Sequence, residues 1–494
     1  MLKIKHISIN SLGENQAYIN RNCAEYRIDE IDSLLRLEIL GENKSVYAFL
    51  QKADDSLVAP DEIGLNDEAF KALNLPQGSM VSVIPASQPL SLRALEHKLN
   101  GEVLSSGEYA AIFEDIANGR YAKTDMAAFL VACGANMAAT ELVSMTETLM
   151  ADRVLYWHTE KPLVNQYSFG GIPANKTDLI VMSIVAAYGL PVAMPCTHSR
   201  ISVAGTADTT GCFAELDLSA KEFQKQIYSD GAAVVCYDAL YHSESGRLLH
   251  NLRNRMEIKQ NELIAASILA MMLSVGVCNF VLDIPVGKYA RVNTANEAMR
   301  LKKQIEYVGD VLGISVDVVI SDGSEPIGNG IGAVLEAQDV LKVLQNDPAA
   351  PRDLREKSLY LAGRVLEFDA KLRGGLGYDL ANEILTDGRA LKKFEQIREK
   401  QGKKSLPPLG DYVRDVVSSY DGVVESINTE VLSRIGTYAG ATQSIGSGVY
   451  LHKKVGDKVK SGDIIYTVYS CNATDFDFVS SLIESNNGYN IVAE

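Results

Sequence analysis

The segment Ser168-Phe169-Gly170-Gly171-Ile172-Pro173-Ala174-Asn175-Lys176-Thr177 sets two adjacent glycines ahead of a lysine and a threonine, and an apolar run from Leu179 to Ala187 follows. The run reads as a buried helix. Paired glycines let the backbone come close to a ligand, and a glycine-rich turn feeding a helix start offers N–H donors and the positive end of the helix dipole. That chemistry holds an anion, most often a phosphate, with Lys176 and Thr177 as added donors. Two alternatives accompany it. The stretch nearly fits G-x-x-x-x-G-K-[ST], with Gly170 at the first glycine but Asn175 at the second, and no magnesium-binding aspartate after an apolar strand stands out. It also has the composition of an ordinary glycine-rich turn.

A second segment shifts the balance toward a site. Cys196-Thr197-His198-Ser199-Arg200-Ile201-Ser202-Val203-Ala204-Gly205-Thr206-Ala207-Asp208-Thr209 packs five hydroxyl residues and one arginine into a short stretch after an apolar run. Hydroxyls and arginine are good donors to phosphate oxygens. His198 in such a loop has the chemistry to bind phosphate or donate a proton, and a solvated Ser/Thr-rich loop is the plainer reading.

The elements that must position these segments follow from periodicity. Residues 1–86 alternate apolar and polar, with strands expected over Tyr18–Ile28, Leu35–Leu40, Val46–Leu50 and Met80–Ile84. Met1 to Lys5 also alternates and does not read as a signal peptide. From Leu90 to Met150 the pattern turns helical, with a start at Ser105-Ser106-Gly107-Glu108 and apolar contacts at Ala127–Val131. Strands are then expected at Val192–Met194, Gly231–Cys236, Phe280–Ile284 and Ser315–Ile320. Helices are expected at Leu179–Tyr188 and Thr294–Leu312. That alternation predicts an α/β sheet with crossover helices, which binds ligands at the C-terminal ends of its strands. Asn346–Pro351 punctuates, helices follow to about Gln401, and Leu406-Pro407-Pro408-Leu409-Gly410 links to a last β-rich unit. There Lys454-Val455-Gly456-Asp457-Lys458-Val459 and Gly462-Asp463 resemble the turn of a lipoyl-like hammerhead barrel. No D-K-A triplet is present, so the unit is read as structural and not as a lipoylation site.

With 494 residues, the chain is too long for one core, and its 47% hydrophobic content is ample for packed interiors. A net charge of −16 argues against a nucleic-acid partner but leaves room for a small anion in a local nest. The seven cysteines include no C-x-x-C pair, so neither a zinc site nor a disulfide framework is expected, and a cytoplasmic location fits. Ile264–Val277 and similar apolar stretches are too short or too broken to span a membrane.

The order G-G-x-P-x-N-K-T, then S-R followed by A-G-T-A-D-T, then Leu282-Asp283-Ile284-Pro285-Val286-Gly287, resembles the thymidine phosphorylase and AMP phosphorylase family. The archaeal-type AMP phosphorylases are the closer branch. Pro326-Ile327-Gly328, Ala333–Ala337 and Leu361-Ala362-Gly363 continue the likeness, which covers nearly the whole chain. The resemblance implies a multidomain α/β protein: a β-rich N-terminal domain (1–86), a helical domain (87–162, with a returning segment near 245–275), a central α/β domain holding phosphate and ligand (163–405) and a C-terminal α+β, hammerhead-like domain (411–494). It implies phosphorolysis: phosphate attacks C1′ of a nucleoside or nucleotide, the base leaves, and a sugar 1-phosphate forms. Inorganic phosphate is the co-substrate, no other cofactor or metal is called for, and at least a homodimer is expected.

Carried over by motif, Ser168, Gly170, Gly171, Lys176, Thr177 and Thr206 are the implied phosphate ligands. Ser199, Arg200 and Ser202, with His198, match the nucleotide loop, Ser267 matches a base-contacting serine, and Arg253 or Arg255 matches a base-contacting arginine. The departures are as informative. Gln166-Tyr167 stands where the family has Lys-His, and Met271-Met272 where it has Lys-Lys. The family's segment with a proton-donating aspartate is here Tyr237–Ser245, which leaves Asp238, His242 and Glu244 as candidate acids. A changed chemistry, base elimination or hydrolysis, and a non-catalytic nucleotide binder are the alternatives these departures keep open.

Overall fold

A computed structural model of the chain describes residues 1–493 apart from 12, 27–35, 42–43, 151–153, 199–202, 238–243 and 257–259. It divides into two units, Met1–Ala151 with His242–Leu263, and Asp152–Tyr241 with Ile264–Glu494.

In the first unit the alternating segments become β1 (Leu2–His6), β2 (Gln16–Asn20), β3 (Arg36–Leu40), β4 (Ser45–Ala53), β5 (Glu62–Leu65) and β6 (Met80–Pro85). They close into a barrel in the order β1-β5-β2-β4-β3-β6, with Leu37, Ile39, Val46, Ala48 and Leu50 pointing inward. The strand expected over Tyr18–Ile28 ends at Asn20, because Asn20 Oδ1 takes the amide of Asn22 (2.7 Å) and turns the chain. Periodicity also missed the helix Asp67–Leu73, capped by Asn66 at one end and by left-handed Asn74 at the other. The helical part comprises Leu92–Leu99, Ser106–Ala117, Lys123–Ala135, Ala139–Met150 and Glu244–Met256. Ser105 and Glu108 form a capping box at the expected helix start. Its interior holds a buried ion pair: Lys98 Nζ donates to both oxygens of Glu141 (2.7 and 2.8 Å), which also accept from Leu104 N and Tyr109 Oη. Full hydrogen bonding of this kind is what makes a buried pair tolerable.

The second unit is built on five parallel strands, β7 (Val164–Ser168), β8 (Val192–Cys196), β9 (Ala232–Cys236), β10 (Asn279–Val286) and β11 (Ser315–Asp322), in the order β11-β10-β7-β8-β9. The expected strands lie within β8 to β11 except for Gly231, the left-handed cap of the helix Ala220–Asp230, and the expected helices lie within Thr177–Tyr188 and Ala295–Leu312 plus its cap Thr294. Every residue of β8 and β9 is buried, as a sheet covered on both faces requires. The open edge at β9 is blunted by Gln401, whose amide exchanges two hydrogen bonds with the backbone of Val234 (3.0 and 2.8 Å).

After β11 the short strand β12 (Gly330–Ile331) leaves this sheet and pairs with C-terminal residues. These supply β13 (Tyr412–Val417), β14 (Gly422–Ile427), β15 (Gly448–Leu451), β16 (Lys458–Val459), β17 (Ile464–Ser470) and β18 (Tyr489–Val492), in sheets ordered β12-β15-β17-β13 and β16-β14-β18. Helices Thr429–Gly436 and Ala473–Ser485 pack with them. All seven cysteines are free thiols. No helix among the described residues is long and apolar enough to cross a membrane.

Candidate active site

β7 sits at the centre of the parallel sheet and ends at Ser168. Phe169 N still bonds Asp283 O of β10 (2.8 Å), and then the chain turns away through Gly170 and Gly171 at φ +81° and +93°. Glycine is obligatory at Gly171: a Cβ there would lie 2.5 Å from Arg291 Cβ and 2.6 Å from Arg291 N. Ser168 Oγ accepts from Gly170 N (3.2 Å) and from Asn175 Nδ2 (3.1 Å), so the loop closes on its own first residue. Ser168, Gly170 and Gly171 are half-buried, which leaves the turn open to a ligand.

Lys176 is the N-cap of the helix Thr177–Tyr188, but its side chain runs inward. Its Nζ lies 3.0 Å from Glu336 Oε2 and 3.3 Å from Ala204 O. Burial alone would pull this ammonium's pKa down, yet Glu336 and Asp178 outweigh it and the net shift is upward. Asp178 is pushed up by burial, against the pull of Lys176 and of Thr206, whose Oγ1 donates to it at 2.5 Å. Thr206 has one hydroxyl proton, and it goes to Asp178. Thr177 Oγ1 is turned to Gln166 Oε1 (3.4 Å). The fold therefore gathers Lys176, Thr177 and Thr206 beside the glycine turn, each with its side-chain donor directed to another protein group.

A cation that no motif in the sequence marks stands on the open side. Arg291 follows β10 and packs its backbone on Gly171, and its Nη2 lies 3.9 Å from where a Gly170 Cβ would be. No other described residue hydrogen-bonds or ion-pairs with its guanidinium. Burial pulls its pKa below the usual range, with Tyr167 opposing. Lys288, the extra cation visible in the sequence, is instead exposed over the Tyr289 ring.

At the end of β8, His198 Nδ1 lies 2.6 Å from Asp208 Oδ1, with the imidazole 52% exposed. Asp208 Oδ2 also accepts Gly205 N (2.7 Å). An aspartate that fixes one imidazole nitrogen leaves the other for proton transfer.

On the expected base side, Ser267 is half-buried and Met271 only 3% exposed, both on the helix Asn261–Ser274. Gln166 is 1% exposed, and its Nε2 has no hydrogen-bond partner among the described residues. Arg253 and Arg255 lie in the last turn of Glu244–Met256, in the first unit, with Arg253 Nη2 3.2 Å from His250 Nδ1. Glu244 opens that helix. Ser199, Arg200, Ser202, Asp238 and His242 lie outside the described residues. Among the described residues, no three His, Cys, Asp or Glu side chains are grouped to hold a metal ion.

Known proteins carry both the fold and the sequence. Residues 92–152 match the helical bundle domain of the glycosyl transferase family, and residues 423–490 match the pyrimidine nucleoside phosphorylase C-terminal domain. Among solved structures, anthranilate phosphoribosyltransferase (TrpD) from Thermus thermophilus is similar in fold, with a TM-score of 0.52 at 18% identity over 62% of this chain and 99% of that one. Together with two curated relatives of the whole chain, these matches make it a glycosyltransferase of the pentosyltransferase type. Two curated relatives, each named "Putative thymidine phosphorylase", are 40% identical to it. The one from Rhodopseudomonas palustris matches over 99% of this chain and 96% of its own length, as does the one from Methylococcus capsulatus. The chain belongs to the thymidine phosphorylase family.

Proposed function

We propose that this enzyme cleaves the N-glycosidic bond of a nucleoside or nucleotide by phosphorolysis, with phosphate bound between the Gly170–Gly171 turn and Arg291. The observation that carries this reading is a half-buried guanidinium with no anionic partner among the described residues, packed against a turn that only glycine can make. An unpaired cation at low dielectric is costly until an anion arrives. It supplies the positive charge lost where Gln166 stands in place of a lysine.

In this reading Ser168 and the Gly170–Gly171 backbone hold phosphate near C1′. A phosphate oxygen forms the new bond to C1′, the C1′–N bond breaks, and its electron pair leaves with the base. Positioning and charge stabilisation carry most of such a reaction. His198, oriented by Asp208, is the donor that returns a proton to the departing base. Lys176 and Thr206 serve at one remove, through Glu336 and Asp178. The likeness to the AMP phosphorylase branch extends the substrate class to nucleotides. The same reading needs no cofactor beyond phosphate and places the enzyme in the cytoplasm as at least a homodimer.

The test is base release from a panel of nucleosides and nucleotides, with and without phosphate. Phosphate-dependent release with formation of a sugar 1-phosphate is expected. Equal release in phosphate-free buffer would make the enzyme a hydrolase or lyase.

A further inference from the structure

We infer that the C-terminal region positions the phosphate-binding turn, and that Ala174 is the residue through which it does so. The inference rests on the Gly170–Gly171 turn being the phosphate site.

Three described residues other than glycine have positive φ: Asn74, Asn346 and Ala174. Asparagine tolerates the left-handed region through local hydrogen bonds of its side chain, whereas alanine has none to offer. Ala174, at φ +65°, is therefore the strained one, and it lies inside the loop that runs from the glycine turn to the helix. Strain of this kind persists only where the surroundings over-determine it. Here the surroundings are the core of the C-terminal sheets, which Val203 and Ile331 also enter. Ala174 is 3% exposed and sits in one core with Val424, Leu432, Ile435 and Val449. A glycine would take the same φ without strain and keep the bond from Lys176 N to its carbonyl (3.0 Å), but it would lose the methyl that lies in the C-terminal core. The buried methyl pins the turn.

The pinning reaches the site by short steps. The next residue, Asn175, donates to Ser168 Oγ, which in turn accepts Gly170 N. A shift at Ala174 therefore moves the first residue of the turn.

Two further contacts come from the same region. The strap 325–331 lies behind the loop, with Ile327 N on Pro173 O (3.4 Å). Lys454 holds that strap through Pro326 O and through Asp353 (2.9 Å), which accepts Gly328 N at 3.0 Å. On the other flank Thr429 Oγ1 donates to Tyr289 O (3.3 Å), two residues before Arg291. The C-terminal region thus holds the turn, the strap behind it and the loop that carries the opposing cation.

The experiment compares wild type, Ala174→Gly, Lys454→Met and Val479→Ala by calorimetric titration with inorganic phosphate and by thermal melting. Val479 lies in the same core at 0% exposure, on a helix that has none of these contacts to the turn. Ala174→Gly should weaken phosphate binding about three- to tenfold, because the freed backbone must be ordered again on binding. Its melting temperature should hold or rise as the strain is relieved. Lys454→Met should weaken phosphate in the same direction. Val479→Ala should lower the melting temperature and leave phosphate affinity as in wild type. In turnover, the loss in Ala174→Gly should appear in KM for phosphate and not in KM for the nucleoside. Wild-type-like phosphate affinity in Ala174→Gly overturns the inference, as does a matching loss in Val479→Ala. A wild type that binds no phosphate removes the underlying reading itself, so the two failures are separable.

Discussion

Lys176 Nζ lies 3.0 Å from Glu336 Oε2, with the two side chains 9% and 1% exposed. The lysine that marks the phosphate motif in the sequence thus points into the protein and joins the start of one helix to the helix Ala333–Leu344. Glu336 also accepts from Thr209 Oγ1 (2.8 Å) and Gly332 N (3.3 Å), so its charge is built into the packing of both helices.

Lys176→Met should accordingly cost stability first. Removing one partner of a buried pair leaves the other charge uncompensated, an effect of about 3–5 kcal/mol. Adding Glu336→Gln should recover much of that loss, since the orphaned charge is then gone. Urea denaturation of the single and double variants measures both. A single variant of wild-type stability with a raised KM for phosphate would show that the ammonium serves the ligand instead.

Gly171→Ala tests the turn itself. The new Cβ would meet Arg291 backbone at 2.6 Å, on a residue held at φ +93°, and backbone cannot yield as a side chain can. The variant should fold yet lose the rise in melting temperature that phosphate gives the wild type through preferential binding to the folded state. An undiminished rise in a folded variant would move phosphate away from this turn.

Arg291→Gln separates binding from stability. A charge-assisted hydrogen bond contributes about 1.5–3 kcal/mol, so phosphate should dissociate roughly ten- to a hundredfold more readily. Stability without ligand should hold or rise, because a half-buried cation with no anion beside it among the described residues is removed. Titration calorimetry and denaturation on the same samples decide it. Unchanged phosphate affinity would leave the guanidinium without the role assigned to it.

Asp339 gives a pH signature close behind the site. Burial pushes its carboxyl up to about 6 from 3.8, against the amides of Gly330 and Asn329 that favour the anion. With the folded pKa above the unfolded one, the folded state binds more protons between about pH 4 and 6. Stability contributed by this group therefore falls as pH rises through that window, and the penalty stays complete above pH 6. Asp339→Asn should remove the slope and gain on the wild type by about 1–2 kcal/mol at pH 7 while matching it near pH 4. Parallel stability curves for the two proteins from pH 4 to 7 would contradict the assignment.

What could be read from the sequence divides along a physical line. Paired glycines announce a turn because φ and close approach exclude other residues whatever the partner is. The strands β8 to β11 announce themselves by apolar runs that suit burial on both faces. Partnership over long separations is not written in local pattern. Arg291 and Lys288 are equivalent cations in the chain, and only the parallel pairing of β7 with β10 brings one of them to Gly171. Lys176 reads as a phosphate ligand until the helix carrying Glu336 is in place. Barrel closure was equally hidden, since alternation marks strands but not the parallel pairings of β1 with β5 and β2 with β4. β7 itself was missed because Val164-Asn165-Gln166-Tyr167-Ser168 is largely polar, although the first three are buried.

Gln166 is where sequence and structure ask the sharpest question. It is buried in β7, its Nε2 has no hydrogen-bond partner among the described residues, and its Oε1 meets Thr177 Oγ1 at the start of the helix Thr177–Tyr188. A lysine here, as in the family's usual motif, would set an ammonium near the positive end of a helix dipole. Asp178, the carboxylate beside Thr177, is already engaged with Lys176 and Thr206. Without ligand, Gln166→Lys should therefore melt below the wild type. Bound phosphate would supply the missing anion, so the phosphate-induced rise in melting temperature should be larger in the variant than in the wild type. Met271→Lys differs, because Met271 is 3% exposed in an apolar helix, and its loss of stability should not respond to phosphate. If the base pocket is otherwise ordinary, the double variant should raise kcat/KM for a common nucleoside or AMP at saturating phosphate. If the pocket is specialised, the double variant should lose activity on the true substrate while gaining on common ones. Wild-type turnover of uridine, thymidine or AMP as fast as that of a lysine-bearing relative would show that the loss of both lysines brings no change of substrate.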